Sequence, residues 1–296
     1  MAENLNSITY IDKGLSSQKS FGLFFTAAEL LLSAFFVLLS VPVFVNLYKL
    51  WSSDKNFDGL ILVPILCVIV LLKSRQKLGH ISLQISKSGL CIFPAALVMM
   101  AAASYCNYTR VAGLIFIANL AIISFGILKI ENIKLMVPLL LFLILMIPLP
   151  QMMVDMITNF LQNILSLATE AILTIFSQGF IERKGFIFCF ANLDHQMFIA
   201  PECSGFRSLV GLTVISSFLA IVDRLKCSSA VLLIIIGTAT AITLNLFRII
   251  TTITLKINGF ERFTEDSLHG LLGILVFVAG CMILSKASKC IRMPLE

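Results

Sequence analysis

The chain has 296 residues, of which 58% are hydrophobic and only 13% charged, with a formal net charge of +6. That balance excludes a water-soluble globular domain. It does not point to nucleic acid either, because the basic residues sit in short loops between apolar runs, where positive charge sets membrane topology.

Apolar runs recur from Phe21 to Leu284 and leave no room for a separate soluble domain, so residues 1–296 read as one polytopic membrane domain. The fold class expected is all-α, with about eight spans, each needing ~20 apolar residues. The polar stretch Met1–Lys19 lacks the charged leader and short h-region of a cleavable signal, so residues 1–20 read as a cytoplasmic tail.

The first span is Leu23–Leu47, followed by a polar loop with Trp51 as an interfacial anchor beside Asp54, Lys55 and Asp58. A second, Gly59–Leu72, ends at Lys73. The segment Lys73–Lys87 carries Lys73, Arg75, Lys77 and Lys87 with no acid, which places it in the cytoplasm. Third, fourth and fifth spans follow at Gly89–Tyr105, Ala112–Leu128 and Leu135–Ile147, the last closed by Pro148-Leu149-Pro150. Glu29 and Asn119 lie within spans and read as helix–helix hydrogen-bonding groups.

In Gln151–Phe180 the apolar residues are interrupted by Asp155, Asn159, Gln162, Asn163 and Glu170. That pattern suits one amphipathic segment in the interface or along a cavity. If it does not cross, Ile181–Glu202 is outside, the basic Asp223–Lys226 loop is inside, Lys256–Ser267 is outside and the 286–296 tail is inside, as the positive-inside rule requires. Crossing would reverse both basic segments. Short alternations at Gly185–Phe188 and Gln196–Ile199 flank Asn192-Leu193-Asp194 and predict a small extracytoplasmic hairpin. The remaining spans are Phe206–Val222, Ala230–Leu255 and Leu268–Leu284.

Chemistry concentrates after the hairpin, in Pro201-Glu202-Cys203-Ser204-Gly205-Phe206-Arg207-Ser208-Leu209. Of eight cysteines none is spaced C-x-x-C, so no metal or other cofactor is expected. Cys67, Cys91 and Cys281 read as small buried hydrophobes. Cys203 instead has polar neighbours at a helix start, where a thiol is readily activated. Arg248 lies eight residues before Lys256, roughly 12 Å along its helix, with Asn245 on the same face. His269 opens the last span. In this topology Cys203, Arg248 and His269 share one outer-leaflet depth, as a nucleophile, an anion stabiliser and an acid/base would. Arg207, one helical turn after Cys203, either assists the thiolate, binds an acidic substrate group or pairs with Glu202. His80 and His195 read as solvated. A transporter or channel, with Arg248 lining a polar path, is the alternative, and a non-catalytic scaffold is a further rival.

The runs Glu202–Leu209, Asn245-Leu246-Phe247-Arg248-Ile249 and His269-Gly270, in that order and behind Pro148-Leu149-Pro150, closely resemble the exosortase/archaeosortase family. The resemblance implies a cysteine peptidase and transpeptidase of the inner (plasma) membrane, with its site facing outward. Its partners would be exported proteins ending in a Pro-Glu-Pro-like motif, a hydrophobic helix and a basic tail. Water, a lipid amine or a glycan would accept the cleaved chain. By the same resemblance Cys203 is the nucleophile, Arg248 the oxyanion-stabilising cation and His269 the general acid/base, with Ser204, Arg207 and Asn245 in supporting or substrate-binding roles.

Overall fold

A computed structural model describes residues 27–74, 87–127, 133–177, 181–190, 196–199, 201–258 and 266–292. The expectations for His80, His195, the Asn192–Asp194 turn and most of the two basic or mixed loops at 73–87 and 256–267 lie outside these residues, as do the side chains of Glu29, Glu202 and His269.

The described chain is mostly helical. In order, the helices are α1 (Ala27–Ser53), α2 (Leu62–Ser74), α3 (Lys87–Tyr105), α4 (Thr109–Ala121), α5 (Ile133–Ile144), α6 (Gln151–Ser177), α7 (Phe206–Val222), α8 (Cys227–Ile257) and α9 (Asp266–Arg292). Stretches within α1, α8 and α9 are long and apolar enough to cross a membrane: Ala34–Ser53, Cys227–Lys256 and Gly270–Arg292. Those in α3, α4, α5 and α7 are apolar but shorter. At 31 residues, α8 is roughly 46 Å long, well beyond the ~30 Å hydrocarbon core. The chain separates into a first compact unit, Met1–Val41, and a second, Pro42–Glu296. Everything below concerns the second.

The expected amphipathic segment is one continuous helix, α6. It buries Thr158, Gln162, Ser166 and Thr169 along one stripe and exposes Met152, Met156 and Phe160 on the other side. The spacing of its polar residues did not say which of them face inward. Asp155, Asn159 and Asn163 are exposed, whereas the smaller hydroxyl residues turn inward.

The expected hairpin is a three-stranded antiparallel sheet, β1 (Ile181–Lys184), β2 (Ile187–Phe190) and β3 (Gln196–Phe198), in the order β1-β2-β3. Lys184 pairs with Ile187 across a two-residue turn. Gly185 takes φ +66° there, a conformation a glycine adopts without penalty. The sheet is tied to α6 at two points. Gln162 Nε2 donates to the Ile199 carbonyl at 3.0 Å, and Arg183 Nε donates to Glu170 Oε2 at 2.6 Å.

The three C-terminal helices pack around Leu212, Ala220, Leu233, Ala241 and Leu284. Small residues set how closely they approach. A Cβ at Gly211 would lie 2.7 Å from Phe277, one at Gly237 3.1 Å from Ser216 Oγ and one at Gly280 2.8 Å from Leu212. Without a hydrophobic driving force between helices in lipid, such close backbone approach supplies the packing energy. At the far end of α7, Ser288 Oγ donates to Asp223 Oδ2 at 2.5 Å.

Candidate active site

Residues Pro201–Ser204 form one 3-10 turn, and α7 begins at Phe206. Gly205 joins them at φ +78°. Ser204 is buried, and its hydroxyl accepts the Phe206 N–H at 3.3 Å, closing the turn locally. Cys203 is half-buried on this turn.

From the other side comes α8, which buries Asn245, Arg248, Ile249, Thr252 and Ile253 on one face. These positions recur at three- and four-residue intervals, the spacing of one helical stripe. Asn245 Nδ2 donates to the Cys203 carbonyl at 2.9 Å. The two elements touch so closely that a Cβ on Gly205 would lie 2.6 Å from both Asn245 Cγ and Nδ2. Glycine is therefore required twice, for its backbone angle and for the space.

Arg248 is 9% exposed, interacts electrostatically with Cys203, and its Nε and Nη2 have no acceptor among the described residues. Thr252 Oγ1 donates to the Arg248 carbonyl at 2.8 Å. A buried guanidinium with no carboxylate partner among the described residues is costly in a structural role. Two free donors in such a place are the kind of group that can hold an anion.

The third element is α9. A Cβ at Gly273 would sit 3.6 Å from Arg248 Nη1, so this position of α9 faces the guanidinium. His269 lies one turn earlier in the same helix, on the same face by the four-residue spacing. The backbone thus brings the His269 position to the site's side of α9.

Arg207 points elsewhere. Its Nη2 meets Asp58 Oδ2 at 2.6 Å, with both side chains about half-exposed. Phe57 meets Phe206 edge-on, with ring centroids 6.0 Å apart. The start of α7 is therefore anchored to the loop after α1. The Pro148-Leu149-Pro150 element is clasped in turn. Arg110 donates from Nε to the Pro148 carbonyl at 2.9 Å and from Nη2 to the Leu149 carbonyl at 3.2 Å. Trp51 Nε1 donates to the Met146 carbonyl at 2.8 Å, so the expected interfacial anchor is buried and serves as a clamp.

Sequence reasoning missed Asp58 as the partner of Arg207 and the inward hydroxyls of α6. Ser166 Oγ and Thr169 Oγ1 are buried without partners among the described residues. Their intervals of four and then three residues after Gln162, one helical stripe, were the available signal. Among the described residues no group of His, Cys, Asp and Glu could hold a metal ion.

No curated protein and no solved structure matches the chain. A family model described as transmembrane exosortase does match, over residues 51–285. That range takes in the Trp51 clamp, the Arg110 clasp, the Cys203 turn and the stripe of α8 that carries Asn245 and Arg248. It covers more than half of the chain, and the chain belongs to the transmembrane exosortase family.

Proposed function

We propose that this exosortase is a cysteine transpeptidase that cleaves the C-terminal sorting signal of exported proteins through a thioester on Cys203. The observation that carries the reading is the buried Arg248 guanidinium, within electrostatic reach of Cys203, whose Nε and Nη2 have no acceptor among the described residues. Attack of the Cys203 thiolate on a peptide carbonyl forms a C–S bond and a tetrahedral oxyanion. Arg248 Nε and Nη2 donate to that oxygen. Collapse breaks the C–N bond, and His269 delivers a proton to the departing amine. The substrate's hydrophobic tail leaves with that amine. Water, a lipid amine or a glycan hydroxyl then gives a proton to His269, attacks the thioester and regenerates the thiolate. General acid–base help of this kind contributes ~10²–10⁴-fold.

The same reading takes about eight spans, both termini in the cytoplasm and the site facing outward in the inner membrane. Side-chain contacts support it. Asp58 with Arg207 and Phe57 with Phe206 join the loop after α1 to the start of α7. Trp51, in the last turn of α1 just before that loop, joins the turn after α5 through Met146. Both ends of the stretch from 150 to 205 are thereby tied to one part of the chain, as an even number of crossings requires. Strands of three and four residues span no more than ~14 Å each, too short to carry the chain back across. On this reading α6 stays on the outer side with its sheet.

The test is chemical. Purified protein in lipid nanodiscs is given a substrate with motif, helix and basic tail, and hydroxylamine is added to intercept the acyl group. The expected product is a substrate hydroxamate with loss of the tail, abolished by Cys203→Ala. Undiminished cleavage by the Cys203→Ala protein ends the proposal.

A further inference from the structure

Beyond the three residues that carry the reaction, we propose that Asn245 Oδ1 reads the substrate main chain. It accepts a hydrogen bond from the N–H of the residue whose carbonyl Cys203 attacks. This rests on the transpeptidase reading and assigns that reading a backbone-recognition residue.

The orientation of the Asn245 amide is fixed by its chemistry. Nδ2 lies 2.9 Å from the Cys203 carbonyl, which can only accept, so the NH₂ group must face it and the amide cannot be flipped. Oδ1 is then left over. Asn245 is 1% exposed, and Oδ1 has no donor among the described residues. A buried acceptor with no donor is rare in folded proteins and calls for an explanation.

The nearest residue of the same stripe gives one. Arg248, three positions on, is a neighbour of Asn245 on the same buried face of the helix, and its Nε and Nη2 have no acceptor among the described residues. Asn245 holds the Cys203 turn through the Cys203 carbonyl, so the guanidinium beside it lies next to that turn. One acceptor and a fork of donors, side by side, complement the edge of an extended residue. In an extended chain a residue's own N–H and C=O lie along the same edge and are bonded together by one partner. With the C=O on Arg248, the N–H falls to Asn245. The recognised chemistry is an extended peptide with a secondary amide at that position, independent of its side chain.

The test uses the full-length protein in nanodiscs and two synthetic substrates that differ by one atom. Once the cleaved bond has been mapped by product mass, the N–H of the residue supplying its carbonyl is replaced by oxygen. The scissile bond remains an amide in both. Wild-type protein should prefer the all-amide substrate by about tenfold in kcat/KM, the worth of one buried hydrogen bond. In Asn245→Ala the preference should fall to within about twofold. Intrinsic reactivity differences between the substrates cancel in that comparison. Asn245→Asp keeps an acceptor but loses the donor to Cys203, so it should be slower yet retain the preference. If Asn245→Ala does not fold, wild type and Asn245→Asp decide. Equal turnover of the two substrates by wild type, a preference that persists in Asn245→Ala, or its loss in Asn245→Asp overturns the inference. Absence of any acyl-enzyme on Cys203 from either substrate sinks the transpeptidase reading and this inference with it. A flat ratio with normal acylation sinks the inference alone.

Discussion

Gly205→Ala separates the site's geometry from the bundle's stability. At φ +78° a residue with a Cβ costs ~1–2 kcal/mol over glycine. The added methyl would start 2.6 Å from Asn245 Cγ and 2.9 Å from its Cβ, where carbon atoms rest at ~3.5–4.0 Å. The turn and α8 must therefore part by about 1 Å. That movement breaks the Asn245 bond to the Cys203 carbonyl, a further ~0.5–1.5 kcal/mol. The total of about 1.5–3.5 kcal/mol falls on one turn, remote from the Leu212–Leu233–Leu284 core. Misplacing a nucleophile by ~1 Å costs about 10²-fold in rate.

The expected result is a folded protein whose kcat/KM for substrate cleavage is about a hundredfold lower. Trp51 is the only tryptophan, and it is bonded to Met146 rather than to the site. Its emission should report an unchanged fold, and the thermal transition should stay cooperative while falling by several degrees. Combining Gly205→Ala with Asn245→Ala removes two of the three close contacts, so the double variant should lose less than the sum of the single losses. Activity of Gly205→Ala within threefold of wild type would refute the claim that this glycine sets the thiol's position.

The remaining predictions concern Arg248 and the topology. Arg248→Lys retains the charge but not the planar fork, and should lose ~10²–10³ in kcat while substrate still co-purifies; near-normal cleavage would reduce Arg248 to a generic cation. Arg248→Met should abolish cleavage yet stabilise the protein by about 1–4 kcal/mol, read as a higher Tm, and a lower Tm would mean the guanidinium has a structural partner. Single cysteines introduced for labelling at Asp194 and at Arg224 should react from opposite sides of an intact membrane, with position 194 outside. Labelling of 194 only after lysis would reverse the topology.

What was legible in the sequence follows locality. Cys203, Ser204 and Gly205 are contiguous, and Asn245 and Arg248 share a face by spacing alone, so the site's two halves were each readable. That Asn245 would bond the Cys203 backbone was not, because the contact depends on how closely α7 and α8 approach. Arg207 and Asp58 are 149 positions apart, and a local reading could offer only Glu202, thiolate or substrate as partners. The faces of α6 were obscured for a different reason. Asp155 and Asn159 dominate any polarity pattern, yet a buried stripe in contact with a sheet favours small hydroxyls over charges. The β1 strand, with Glu182, Arg183 and Lys184 in sequence, lacks alternation and was hidden by its own charges.

A buried guanidinium whose Nε and Nη2 have no acceptor among the described residues has to be held by something other than those two nitrogens. Here the holding is done by neighbouring backbone. Glycines at 211, 237 and 280 let α7, α8 and α9 approach to contact distance, and Gly205 lets the cysteine turn close on α8. Thr252 fixes the Arg248 carbonyl from within the helix, while the Gly273 position of α9 faces the head group. None of these contacts consumes Nε or Nη2. Donors fixed in place before the charge appears cost no reorganisation when it does, which is where such a site gains most over water. The same economy explains why the thiol sits on a short turn rather than within a helix. On the turn its carbonyl is available to Asn245, so the cysteine backbone is held by α8 as well as by the start of α7.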